Sequence, residues 1–210
     1  MARRRRFRVP DIPHHVIQRG TDRLPIFRSD YDRDVFKRLL REAISKHHVD
    51  VHAYALMSTH YHLLLTPRTV VSLEKAMHVV GLRYASYFNR RYQRTGALFE
   101  GRYRAMYIDT EIYWYTCLRY VELNPVRAGI VAEPGASDCT SYAFHAHGVA
   151  DMLVEPHPLY LALGRTTDER QCCWQRMCAE GLTFDELAKV RAAVHQGVGL
   201  GPIVLPESIG

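Results

Sequence analysis

Two histidines, His60 and His62, stand one residue apart in the stretch MSTHYHLLL (Met57–Leu65). The residues around them, HYHLLLTP (His60–Pro67), read as a buried β-strand closed by Pro67. Side chains alternate along a strand, so both imidazoles project from one face and Tyr61 from the other. Two imidazoles on one face can share a metal ion. The triplet alone is a weak signal, and the chain's other pairs, in PHH (Pro13–His15) and KHH (Lys46–His48), read as structural or surface histidines. A metal site needs a third donor. Tyr120 and Asn124, in RYVELNP, are four residues apart and lie on one helical face, with Tyr113, Thr116 and Cys117 on the turns before. Arg119 and Glu122 point elsewhere. If this helix crosses the histidine strand, Asn124 can offer an amide oxygen to the metal and Tyr120 can place its phenol beside it.

The elements that must position these groups follow from periodicity. HHVIQR (His14–Arg19) alternates and precedes Gly20, which predicts a strand. Ser29 and Asp30 cap an apolar stripe of Val35, Phe36, Leu39, Leu40, Ala43 and Ile44, which predicts a helix over 30–47. VDVHAYAL (Val49–Leu56) and the histidine strand follow as antiparallel neighbours. A long helix runs from Ser72 to about Tyr92, then a strand RYRAMYI (Arg102–Ile108), then a helix from Thr110 stopped by Pro125. The order β-α-β-β-α-β-α predicts an α+β fold of the ferredoxin-like, split βαβ kind: an antiparallel sheet with helices on one face, its first and third strands central. The tyrosine-bearing helix is added to it. Residues 132–148 read as loop with a short ordered piece, and 166–181 and 183–197 as two helices. The reading divides the chain into a domain at 1–132 and a loop and helical C-terminal appendage at 133–210.

Composition narrows the partners. The 210 residues are 47% hydrophobic and 24% charged, an ordinary globular balance, with a net charge of +6. No apolar run approaches the ~18 residues of a membrane span, and the basic start MARRRRFRVP has no apolar stretch behind it, so no membrane partner and no secretory signal are expected. The expected location is cytoplasmic and nucleoid-associated. The five cysteines match no paired zinc spacing and read as reduced thiols. Arginines cluster in RRRRFR (Arg3–Arg8), NRRYQR (Asn89–Arg94) and GRYR (Gly101–Arg104), interleaved with tyrosine in the last two. Guanidinium groups bind phosphates and aromatic rings stack on bases, so the composition suits single-stranded nucleic acid. Arg3, Arg4, Arg5, Arg6, Arg90, Arg91, Arg94, Arg102 and Arg104 are the candidate backbone contacts. Tyr103 and Tyr92 are candidate stacking residues, against the plainer reading that they fill the core.

The motifs HHVIQRG (His14–Gly20), MSTHYHLLL, GALFEGRYRA (Gly96–Ala105) and LRYVELNPVRAGIV (Leu118–Val131), in this order, resemble the single-tyrosine HUH transposases. The likeness is to those of the insertion-sequence type, above all the REP-associated tyrosine transposases, and spans about residues 10–200. VRAAVHQGVGLG (Val190–Gly201) is similar to that group's C-terminal tail and could cover or occupy the site. The chain departs from the pattern at Ser58-Thr59, where the family usually has Pro-Asn, which changes the turn and not the ligands. The resemblance implies that His60, His62 and Asn124 ligate the metal and Tyr120 is the nucleophile, with Tyr113 and Tyr115 as weaker candidates on the same helix. It implies Mg²⁺ or Mn²⁺, where imidazole donors alone would also suit zinc, nickel or copper. It further implies cleavage of single-stranded DNA at a REP-type hairpin, through a 5′-phosphotyrosine that releases a 3′-OH, and strand transfer by reversal: DNA transposition and recombination.

Three rival readings stand beside this one. A catalytically silent hairpin-binding protein would keep the fold and the affinity; all the reacting residues are present here. A replication initiator or relaxase of the same superfamily usually carries an NTPase domain, and the chain shows no GKS or GKT. A small-phosphate metallohydrolase would have little use for the arginine clusters. Monomer and homodimer both remain open, as does the base for Tyr120, since Glu122 lies on the wrong side of an ideal helix.

Overall fold

A computed structural model describes residues 9–196, with side chains through Val194. Arg3–Arg6 and the Gly197–Gly201 part of the tail motif lie outside the described residues. Four strands, β1 (His14–Arg19), β2 (Val49–Met57), β3 (His60–Pro67) and β4 (Arg104–Tyr107), form one antiparallel sheet in the order β2-β3-β1-β4. The first and third strands are central, and the architecture is the α+β arrangement that the element order predicts. β4 is shorter at both ends than the 102–108 span read from the sequence.

Helices α1 (Asp30–His47) and α2 (Ser72–Arg91) cover one face. Ser29 and Asp32 make a capping box at the start of α1, and His48 ends it in the left-handed region at φ 54°. Asp32 also joins the two helices, accepting hydrogen bonds from the hydroxyls of Tyr87 and Tyr92. Burial would raise its pKa, but those bonds and the Arg28 and Ser29 amides hold it below its ordinary value. Val16, Tyr61, Leu63 and Leu65 from the sheet pack here against Phe36, Tyr84 and Phe88.

The opposite face carries α3 (Glu111–Glu122), capped by Thr110, and then α4 (Asn124–Arg127), α5 (Tyr142–His147), α6 (Pro158–Leu161), α7 (Thr167–Ala179) and α8 (Phe184–Gln196). α3 stops at Glu122 rather than running on to Pro125. Proline has no N–H to donate inside a helix, so the chain breaks at Leu123 and restarts with Pro125 in the first turn of α4. Leu64 and Met106 from the sheet join Trp114, Leu118, Val121, Trp174 and Val190 in this second core, so residues beyond 132 help to bury α3.

Glu122 organises that core. Its carboxylate is fully buried and accepts from Ser141 Oγ at 2.5 Å, His145 Nδ1 at 2.7 Å and Trp174 Nε1 at 2.9 Å. Gly20 closes β1 where the chain crosses itself: its amide donates to Thr59 O at 2.9 Å, and a Cβ there would collide with the Leu24 carbonyl. Among the described residues no helix is long and apolar enough to cross a membrane.

Candidate functional site

Strand pairing assembles the histidines. β1 and β3 run antiparallel with Ile17 opposite His62 and Arg19 opposite His60, so alternation sends His15, Ile17, Arg19, His60 and His62 to the α3 face. The His60 and His62 rings meet edge-on with centroids 5.0 Å apart. His62 Nδ1 lies 2.9 Å from Nε2 of His15, and His60 Nδ1 lies 3.0 Å from the Thr59 hydroxyl. Each ring therefore has its Nδ1 engaged by a neighbour and keeps Nε2 for another partner. His15, read from the sequence as structural or surface, is a buried member of the site. The signal for it was its parity on β1, which becomes legible only once β1 is paired with β3.

Burial, and then the Arg127 charge, pushes His15 down to about 3. His60 falls to about 4 through burial, then through Arg19 and Arg127. His62 lies well below its ordinary value, from burial first and then from His15, His60, Arg127 and Arg19. All three imidazoles are thus neutral at neutral pH, the state in which a histidine ligates metal.

The α3–α4 junction brings the other groups. Tyr120 is buried to 7% exposure, its ring edge-on to His15 and His62 at centroid distances of 5.7 Å. Asn124 sits past the break at Leu123, yet it lines the same cleft as Tyr120, and its buried Nδ2 has no hydrogen-bond partner among the described residues. The cleft holds about 390 Å³ and is lined by Arg19, His60, His62, Arg102, Arg104 and Arg191 together with Tyr120 and Asn124.

The donor set fits a divalent cation: two imidazoles whose Nε2 is uncommitted among the described residues and, in the same cleft, the Asn124 amide, whose oxygen is the atom a hard cation takes. Among the described residues no group of three or more His, Cys, Asp or Glu could hold a metal, so a site here depends on an amide oxygen as its third donor. Glu122 is spent in the second core, as the helical geometry predicts. Tyr115 donates to Leu159 O at 2.8 Å, and neither it nor Tyr113 is among the cleft's lining residues.

The arginines divide. Arg102 and Arg104 reach the cleft. Arg91 and Arg94 pack at the end of α2, their guanidiniums over the rings of Tyr31, Tyr92 and Phe88, and Arg90 is exposed on that last turn. Tyr103 is buried in the α1/α2 core. Arg19, Arg127 and Arg191 are residues the sequence reading did not single out. The guanidinium of Arg127 lies 3.9 Å from the centre of the Tyr120 ring, and its Nη1 donates to Tyr120 O at 2.6 Å.

Among solved structures, this chain is similar to one described as a REP-associated tyrosine transposase bound to a REP hairpin, with 13% identity and a TM-score of 0.57 over 75% of this chain and 93% of that one. At that identity the likeness speaks for the fold alone. A second structure, a candidate transposase from Deinococcus radiodurans R1, is 22% identical over 58% of this chain and 96% of that one, with a TM-score of 0.40, too slight to carry an argument. No curated protein matches the chain. The family description "Transposase IS200 like" matches residues 8–124. That stretch runs from just before β1 to Asn124 and so takes in the strands, the histidine pair and the phenol that build the cleft: the chain belongs to the IS200-like transposase family.

Proposed function

We propose that this transposase is a metal-dependent single-stranded DNA transesterase, with Tyr120 as nucleophile and His60, His62 and Asn124 as metal ligands. The juxtaposition of Tyr120 with the two histidines in an arginine-lined cleft carries this reading. A scissile phosphate entering between them would meet the phenol on one side and Arg102, Arg104 and Arg191 around the rim. Bound Mg²⁺ or Mn²⁺ would polarise the phosphate and stabilise the leaving 3′-oxygen. Tyr120 would attack phosphorus, forming a 5′-phosphotyrosine and freeing a 3′-OH; the covalent bond conserves the phosphodiester energy for rejoining to a second strand. The hairpin named for the structural neighbour makes a REP-type hairpin with a single-stranded flank the first substrate to try.

The test is a labelled hairpin oligonucleotide incubated with protein and Mg²⁺ or Mn²⁺, resolved on a denaturing gel. A slow, protease-sensitive covalent band is expected, absent without metal and absent in Tyr120→Phe and His62→Ala. Hairpin binding with no cleavage in any lane would instead favour a silent binding protein. A band surviving Tyr120→Phe would move the nucleophile to Tyr113 or Tyr115.

A further inference from the structure

Among the described residues, one cation beside Tyr120 has no counter-charge. Arg127 stacks on the phenol ring at 3.9 Å and spends Nη1 on the Tyr120 carbonyl. Among the described residues its buried Nε–H has no partner and no ion pair joins it to a carboxylate. Glu122, five residues earlier, is committed to Ser141, His145 and Trp174. Burial pulls the guanidinium's pKa down; the Tyr120 phenol, through its charge and a side-chain hydrogen bond, pushes back, and the charge of Arg191 adds to the pull. A half-buried guanidinium with no carboxylate partner among the described residues is costly to hold, and the quadrupole of one aromatic face offsets only part of that cost. Among the described residues no hydrogen bond joins Tyr120 Oη to a carboxylate or an imidazole, so none of these is poised on the phenol as a general base.

Taking these together, we propose that Arg127 is a positioning residue for Tyr120 that supplies its activation. The guanidinium fixes the ring against the histidines and stabilises the negative charge that grows on Oη during attack. This inference rests on the transesterase reading. In the step, the P–Oη bond forms as P–O3′ breaks; the phenolic proton passes to water in the cleft, and the departing 3′-oxygen takes a proton from water. Charge appears on Oη only during the reaction, so the stacked cation favours the transition state over the resting enzyme. Because Arg127 is not among the residues lining the cleft, its effect is separable from that of the phosphate-binding arginines around the rim.

The experiment measures two quantities on Arg127→Gln and Arg127→Lys: the rate of covalent adduct formation on the hairpin with Mn²⁺, and hairpin affinity against salt without metal, where no cleavage occurs. Arg127→Gln should slow adduct formation ~10²-fold, about 2.7 kcal/mol, with affinity and salt slope unchanged. Arg127→Lys, which keeps the charge but loses the planar stack, should recover part of the rate; it carries the test if Arg127→Gln does not fold. Wild-type adduct formation with an unaltered rate in Arg127→Gln would overturn the inference and leave the transesterase reading standing. So would a fall in affinity with a salt slope smaller by ~0.7, the mark of a direct phosphate contact. Glu100 is a carboxylate that also lines the cleft, and a loss in Glu100→Gln but not in Arg127→Gln would assign activation to a general base and overturn the inference too. Failure of the wild type to form any adduct would remove the reading and the inference together.

Discussion

His15→Phe separates a ligand-orienting role from simple packing. For His62 to present a bare Nε2 to a metal, its proton must sit on Nδ1 and be donated to His15 Nε2, 2.9 Å away. His15 must therefore accept, which it does only when neutral, and burial keeps it so by lowering its pKa to about 3. Phenylalanine nearly preserves the ring volume and offers no acceptor. The buried His62 Nδ1–H would then lack a partner, a cost of ~1–3 kcal/mol. His15 Nδ1 is itself buried with no partner among the described residues, so replacing it recovers part of that cost and the net loss falls near the lower end. At about 2–4 °C per kcal/mol for a chain of this size, the melting temperature should drop by a few degrees. Released from its acceptor, His62 can exchange tautomers and tilt, and metal affinity should fall ~10–100-fold. Titration calorimetry with Mn²⁺ reads the affinity, and imidazole ¹⁵N spectra of the metal-free protein read the tautomer. A wild-type His62 carrying its proton on Nε2, or a variant that melts earlier while binding Mn²⁺ as tightly as before, would sink the argument.

Two further outcomes follow from burial. Glu122→Gln turns an acceptor-only carboxylate into an amide whose NH₂ faces the donors of Ser141, His145 and Trp174; a loss of ~3 kcal/mol is expected, read by denaturant unfolding, and unchanged stability would refute the three-donor arrangement. Acid should destabilise the fold early: His60 titrates near 6.5 when unfolded and about 4 when folded, so stability present above pH 6.5 is lost as pH falls towards 4. Thermal melts across that range test this, and a melting temperature flat from neutral pH down to 4 would contradict the burial of the histidines.

Much of the fold was legible because local signals agreed. α1 begins and ends where its cap residues Ser29 and Asp30 and its apolar stripe say, and β3 is bounded as its alternation and Pro67 indicate. The histidine parity and the shared reach of Tyr120 and Asn124 could be read from spacing, although the helix between them breaks at Leu123. What escaped depends on partners distant in sequence. α5 is six residues long, too short to announce itself, and is held by Glu122 through Ser141 and His145. His15 acquires its place through β1–β3 pairing, and Arg127 through the turn after Pro125. Tyr103 shows the converse: arginine–tyrosine interleaving suggested a surface ring, while the sheet turns it into the core.

The Glu122 carboxylate also sets a timetable. Its three donors lie 19, 23 and 52 residues further along the chain. During synthesis α3 can form as a helix long before that, but a buried charge awaiting its last donor is a strained intermediate, and such distant contacts close late. The helix that carries Tyr120 thus reaches its final seat only after Trp174 has been made. A half-made chain would hold Tyr120, His60, His62 and Asn124 without the seat that brings them together, so the cleft is assembled only when its scaffold is finished.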